Sequence, residues 1–524
     1  VEQQKVASMA ALDIAAKNRR TVLRNHYLKA TRQTERGRAA EPVSRGPVGP
    51  LAAFVIPAEQ HDPLTRDELV EKLLLQGIEV RRVDREFVHE GRVYGAGTHV
   101  VTMAQPKRGV IRWLLGRTFY PDNTFTRDRD GEPIAPYDMS TDNMAEYMGV
   151  RVDAVHTHVE LPSTEVVPDF RVSVVERIPR VESGIERTGE VTAGRYGYRI
   201  DGRLNAAFRV VNGLLDEGVA VRRVTGAGTG LRPGDFVVAA DAPADLLGTL
   251  ASETGVDFLA LESDGSGLGV PVERRRIGLY RRYEGGNIDE GWTRWLLERF
   301  DFPYDSLMDA RIRSGNLNRD FDVVVLPEDS PGSMIGPGED EEPEEGGYPP
   351  RYRSGFGRAG VEALEAFVEN GGTLLTFAEA GELPIEEFRL PVRNVVEGLP
   401  STEFWSPGST LRVEVDTDHP LGYGMPADAL AFYLGGNQVY EVVQHDHNER
   451  VRRVVTFGKA GEGADQNNLL QSGWLLGEEA ISEKAAMVEV EHGLGRVVLI
   501  GFRAQHRAQT HGTFKLVFNA LLGG

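Results

Sequence analysis

The sequence of 524 residues contains no cysteine. Disulfides, thiol nucleophiles and thiolate metal sites are therefore excluded, while the redox compartment stays open. No apolar run approaches the ~20 residues that a membrane helix needs, so no membrane span is expected. Positive charge is also short. The 59 Lys and Arg residues stand against 79 Asp and Glu, leaving a net charge of −20. Nucleic acid, which requires a basic footprint, is not an expected partner. No histidine begins an H-x-x-E, no H-E-x-x-H occurs, and no G-K-[ST] is present. The compact zinc-hydrolase and P-loop patterns are thus missing. "GAGTG" (226–230) runs into "LRPGDF" rather than a helix, so it reads as a loop and not a phosphate cradle.

What remains is an ordinary globular composition, 40% hydrophobic and 26% charged, long enough for two to four domains. The chain opens at Val1 with a segment too charged for a signal peptide's apolar core. It is expected to continue a longer polypeptide, with any targeting signal upstream. Met9, Leu12, Ala16, Leu23 and Tyr27 recur at helical spacing, predicting one amphipathic helix from residue 2 to about 30, then a Pro/Gly-rich linker to residue 50.

From Leu51 a pattern occurs twice. "LAAFVIP", "LTRDELVEKLLLQG" and "IEVRRV" read as strand, helix and strand, followed by a strand "GTHVVTM". "GRYGYRI", "LNAAFRVVNGLLDEG", "VAVRRV" and "GDFVVAA" repeat that order. The repeat predicts two related α/β units over 51–270, each with parallel pairing through a helical crossover. A third α/β unit follows over 271–524, with strands in "RIGLY", "FDVVVLPE", "TLLTFAEAG" and "GRVVLIGF". The expected fold is α/β, the last module an open, largely parallel, doubly wound sheet. A β-rich insertion near 401–490 either extends that sheet or forms a small subdomain.

In such a sheet ligands sit beyond the carboxyl ends of the parallel strands. Those ends carry Asn287, Asp289 and Glu290 after the first strand, Glu328 after the second, and Glu379 after "TLLTF". Arg503, His506 and His511 follow the last strand. Carboxylates near a histidine suit acid/base chemistry when burial separates their pKa values. Alternatively Asp289 and Glu290 cap a helix, Asp289 as the N-cap, and the others are solvated loop charges. The corner "FAEAG" has the frame of a nucleophile elbow, yet offers only Ala378, Glu379 and Ala380.

Metal patterns are sparse. His156/His158 and His445/His447 form His-x-His pairs that on a strand would face one way, but further ligands cannot be placed, so exposed histidines are expected. "DRDGE" (128–132) reads as a turn, and the acidic run 336–347 as a solvated loop.

Taken together, "NIDEGWTRWLLERFDFPYDSLMDARIRSGNLNRDFDVVVLPE", "GVEALEAFVENGGTLLTF", "LPVRNVVEGLP" and "GRVVLIGFRAQHRAQTHGTFKLVFNALL" resemble the C-terminal region of large bacterial zinc carboxypeptidases of the carboxypeptidase A-like class. "FVIPAEQHDPLTRDELVEKLLLQGIEVRRV" and "YDMSTDNMAEYMGVRVDAV" resemble the same proteins. The resemblance implies an upstream peptidase domain that holds the zinc, of which residues 1–50 would be the last helix and linker. It implies a last module similar to class I glutamine amidotransferases, and a secreted or periplasmic location. None of the family's zinc ligands maps onto this chain, and thiol-dependent glutamine hydrolysis is excluded without cysteine. The expectation is a non-catalytic accessory portion with no cofactor or metal of its own. It would dock on its own peptidase domain or bind peptides or cell-envelope material. The alternative is an independent hydrolase or transferase using the acids and histidines at the strand ends.

Overall fold

A computed structural model describes the chain except residues 43–48, 160–163, 167–170, 176–177, 183–188, 229, 264–268, 284–285, 338–351, 444–449, 462–468 and 524. His445, His447, most of the acidic run and part of "GAGTG" fall outside the described residues. The chain is mixed α/β with several sheets, and it divides into two compact units. One comprises residues 1–60, 67–118 and 151–185; the other comprises residues 61–66, 119–150 and 186–524.

The first unit opens with two helices, α1 (Glu2–Lys17) and α2 (Arg19–Arg38), where one helix to about residue 30 was expected. Asn18 interrupts the run, and helix continues eight residues into the expected linker. Arg32, Arg36 and Arg38 carry long, helix-compatible side chains, so polarity there marks a solvated helix face and not a loop.

The sheet that follows contains β1 (Ala53–Ile56), β2 (Arg81–Val83), β3 (His99–Thr102), β4 (Asp153–Val155) and β5 (Thr164–Val166), in the order β4-β1-β3-β2-β5. The helix α3 (Pro63–Leu75) connects β1 to β2. The two strands run the same way, as a helical crossover requires, but β3 lies between them and is antiparallel to both. The expected parallel pairing is therefore corrected. A local strand–helix–strand pattern fixes strand direction, but not which later strand fills the gap.

The second repeat adopts the same plan inside the larger unit. Its strands are β6 (Tyr198–Ile200), β7 (Val221–Arg223), β8 (Phe236–Val238), β9 (Leu259–Ala260) and β10 (Val270–Pro271), ordered β9-β6-β8-β7-β10. The helix α4 (Asn205–Asp216) buries Ala207, Val210, Val211 and Leu214, an i, i+3, i+4, i+7 stripe. Gly77 and Gly218 end the two connecting helices with φ of +70° and +72°, the left-handed closure that glycine adopts without Cβ strain.

A twelve-stranded sheet dominates the larger unit. Its main path uses β11 (Ile277–Tyr280), β12 (Tyr304–Leu307), β13 (Val323–Leu326), β14 (Thr373–Phe377), β15 (Ser409–Val415), β16 (Asp428–Tyr433), β17 (Val451–Phe457), β18 (Ala485–His492) and β19 (Gly495–Ile500). Strands β12-β11-β13-β14-β19 are parallel. From β19 the path continues antiparallel through β18, β17, β15 and β16. The 401–490 segment thus extends the sheet, which is parallel in one half only and not largely parallel. Every residue of β11, β13 and β14 is buried, as two covered faces require. Each large apolar side chain there contributes about 1.5–3 kcal/mol on burial. The helices α5 (Ile288–Arg299), α6 (Gly357–Glu369) and α7 (Phe514–Leu522) complete the module; α6 buries Val361, Leu364, Phe367 and Val368, the stripe its spacing predicts. Because the parallel strands share one direction, their following loops meet at a single edge.

Candidate functional site at the carboxyl ends of the parallel strands

Arg503, just past β19, organises this edge. Its guanidinium donates to Asp289 at 2.5 Å, pairs with Glu328 at 2.9 Å, and donates to the Asn437 side-chain oxygen at 3.1 Å. Gln505 adds donations to Thr293 at 3.2 Å and Asp289 at 3.4 Å. These bonds draw β19, α5, the loop after β13 and the 437 loop to one point.

The N-cap of α5 is Asn287 and not Asp289. Its side-chain oxygen accepts from the Glu290 amide at 3.2 Å, leaving its amide group to donate to the Glu328 carbonyl at 2.9 Å. Asn287 therefore braces the site. Helical spacing then sends Asp289 and Glu290 in different directions. Asp289 turns to Arg503, whereas Glu290 pairs with Arg294 one turn along its own helix at 3.4 Å. Asp329, beside Glu328, pairs with Arg282 after β11 at 2.7 Å.

Glu379 lies on the corner after β14, and its carboxylate accepts no hydrogen bond among the described residues. A Cβ placed on Gly436 would lie 3.8 Å from a Glu379 carboxylate oxygen and 4.0 Å from one of Glu328. Both acids thus face one point. A Cβ there would make ordinary van der Waals contact with both.

Burial dominates the electrostatics. It raises Asp289 to about 6, with Glu328 and Asp329 adding to the rise and Arg503 opposing it. Burial also raises Glu379, reinforced by Glu328 and Asp329, and it raises Asp329 itself. Glu382 reaches about 7, again chiefly through burial, against the bond that Asn394 donates at 2.8 Å. Several acids with raised pKa at one sheet edge are a recognised mark of a functional site.

The histidines do not join this group. His506 is 2% exposed and lies between Trp292 and Phe432, with ring centroids at 4.9 and 4.5 Å. Neither ring nitrogen has a hydrogen-bond partner among the described residues. Burial, with Arg507 and Arg503, lowers His506 to about 3, so it is neutral over the ordinary pH range. His511 stacks on Phe514 at 4.7 Å, and its carbonyl accepts from Asn205 at 2.9 Å, away from the Arg503 group. Sequence reasoning thus named Glu328, Glu379 and Arg503 correctly as neighbours. It missed Asn437 and Gly436, which carry no signal beyond a "GGNQ" turn. His156 and His158 are exposed, as expected, and follow the end of β4; the His156 ring bonds the Pro50 carbonyl at 2.6 Å.

The corner itself is unusual. Ala378 has φ +48°, a left-handed conformation costing an L-residue about 1–2 kcal/mol. That is the strained strand-to-helix geometry of a nucleophile elbow, held by an alanine that is 0% exposed. Gln438 covers the turn, donating to the Glu379 carbonyl at 3.5 Å.

No protein-family model matches the chain, and no curated protein matches it. Among solved structures it is similar to a cytoplasmic protein from Salmonella typhimurium, with 13% identity over 47% of this chain and 97% of that one at a TM-score of 0.31. A ThuA-like protein from Bacteroides uniformis gives 14% identity over 48% and 90%, at 0.26. PurLQS from Thermotoga maritima gives 14% over 48% and 98%, at 0.30. Likenesses this distant decide nothing about function, and none of the three is named a carboxypeptidase.

Proposed function

We propose that this chain is the non-catalytic, C-terminal accessory portion of a secreted zinc carboxypeptidase-like protein, ending in an open doubly wound domain similar to class I glutamine amidotransferases and flavodoxin-like folds. Peptide hydrolysis would belong to the upstream zinc domain. This portion would dock on that domain or bind peptides or envelope material through the acidic edge. The observation carrying the reading is the elbow, strained at φ +48° yet occupied by buried Ala378. The neighbouring carboxylates Asp289 and Glu328 are both paired with Arg503. Purified chain should hydrolyse neither peptides with free C-termini nor glutamine. It should bind such peptides, or the separately expressed peptidase domain, measurably by calorimetry. Peptide turnover by the chain alone would refute the assignment.

A second reading, an independent hydrolase or transferase, is favoured by Glu328 and Glu379 facing a common point at Gly436 with Glu379 raised. It requires Glu379→Gln to abolish a turnover that the wild-type chain displays. It also requires His506 to stay outside the proton path, since both of its ring nitrogens are buried and bond no acid of this edge among the described residues.

A further inference from the structure

A second cluster lies outside that edge, where the turn between β18 and β19 meets the C-terminal end of α6. Glu365 and Glu369 stand four residues apart on α6, hence on neighbouring turns of one face. His492 is the last residue of β18, paired across the turn with Gly495. Donor atoms of all three side chains lie within 4.8 Å of one another.

The turn is held in place. Leu494 donates its amide to the Glu369 carbonyl at 2.9 Å. A Cβ on Gly493 would come within 2.5 Å of the Glu369 Cα, so only glycine permits this approach. The His492 ring stacks on Phe388 with centroids 5.7 Å apart and planes at 28°. Its Nε2 is sealed from solvent, lies 3.7 Å from a Glu365 carboxylate oxygen, and has no hydrogen-bond partner among the described residues. The His492 side chain is 20% exposed, with its Nε2 turned inward toward the two carboxylates and making no hydrogen bond among the described residues, a position that a shared cation would satisfy. Without one, like charges at this helical spacing repel.

We propose that Glu365, Glu369 and His492 bind one divalent transition-metal ion of the zinc type, which fastens the β18–β19 turn to α6. Bonds of ~2.0–2.2 Å to three ligands place donors roughly 3–4.4 Å apart, so the observed cluster closes on an ion by small side-chain rotations. One imidazole with two carboxylates suits zinc and its first-row neighbours. The all-oxygen cages of calcium and magnesium are built differently. Water fills the remaining coordination on the exposed Glu369 side.

Zinc titrated into the full chain by calorimetry, with bound metal counted after gel filtration, tests the site. Wild type should retain one more zinc per chain than either Glu369→Gln or His492→Asn, and only wild type should gain thermal stability from that ion. Glu369 is solvent-exposed, so its variant keeps the fold if the His492 variant does not. Every other histidine is present in all three proteins, so the difference isolates this cluster. Equal zinc counts in wild type and Glu369→Gln overturn the proposal, as does displacement of the ion by excess calcium.

Discussion

The two ends of the same parallel strands carry charge in opposite ways. At the carboxyl end Asp289, Asp329, Glu379 and Glu382 all have raised pKa values, chiefly from burial. At the amino end Asp322 is lowered by the hydrogen bond from Arg276. On the neighbouring antiparallel β18, burial would raise Glu489, yet His419 and Arg496, the latter near the amino end of β19, bring it below its ordinary value. One end stores unfavourable electrostatics, and the other has relaxed them. Structural ion pairs are expected to behave like the amino end, because folding selects for pairing that stabilises. The concentration of raised acids is the property that the proposed binding role at the carboxyl end rests on.

The largest test of this contrast removes the central cation. Arg503→Met leaves the buried Asp289 and the partly exposed Glu328 without their partner and should cost about 3–5 kcal/mol at pH 7, read from urea unfolding. Arg276, half-exposed against Asp322, should cost about 1 kcal/mol or less as Arg276→Met. Equal losses would erase the distinction between the two ends.

Next in size is the pH dependence. An acid whose folded pKa lies above its unfolded one binds more protons when folded, so stability falls as pH rises between the two values. Asp289, moving from an ordinary 3.8 to about 6, gives its full penalty above pH 6 and none below pH 4. Glu382 does the same up to about pH 7. Asp322 and Glu489, being lowered, have the opposite sign: their contribution is full above pH 4.5 and is lost on further acidification. Asp289→Asn and Glu382→Gln should each flatten the fall in stability between pH 4 and 7, by about 3 kcal/mol at about 1.4 kcal/mol per unit. Neither should alter the acid limb below pH 4. A slope unchanged in both variants would show that burial at this end does not cost what its geometry implies.

Much of this contrast was legible in the sequence, but only where it is local. The strand ends of β13, β14 and β19 place Glu328, Glu379 and Arg503 together once parallel order is assumed, and the Gly77 and Gly218 segments announce two sheets of one topology. Partner choice was not legible. Asp289 and Arg503 are 214 positions apart, and nothing in "NIDEGW" separates the acid that turns inward from the one that pairs along its helix. The insertion of β3 between β1 and β2, and the cluster joining Glu365 and Glu369 to His492, are likewise products of tertiary pairing. The strain at Ala378 leaves no trace in composition, because alanine is the residue least suggestive of a left-handed corner.

That strain supplies a smaller prediction. Ala378→Gly removes the Cβ from a φ of +48° and should be neutral or stabilising by about 1 kcal/mol, the relief outweighing the added freedom of the unfolded chain. Ala366→Gly, inside α6, should instead cost about 1 kcal/mol. If both changes destabilise alike, the corner is not strained, and the elbow loses its claim to be the relic of a nucleophile.

The last contrast concerns two histidines, and the smallest expected effect is the one at His506. His419 accepts from the Leu421 amide at 3.2 Å and pairs with Glu489 at 3.2 Å, so His419→Leu should cost about 1–3 kcal/mol by leaving that buried acid and amide short of partners. The His506 ring makes no hydrogen bond among the described residues and is already neutral beside its two aromatic neighbours. Replacing an unpaired buried imidazole with an apolar side chain removes a polar group that was never compensated. His506→Leu should therefore change stability by less than about 1 kcal/mol, and should leave ligand binding at the acidic edge intact. A large loss of binding in this variant, with stability preserved, would place the imidazole in contact with the ligand and move the site from the Glu328–Glu379 face toward Trp292.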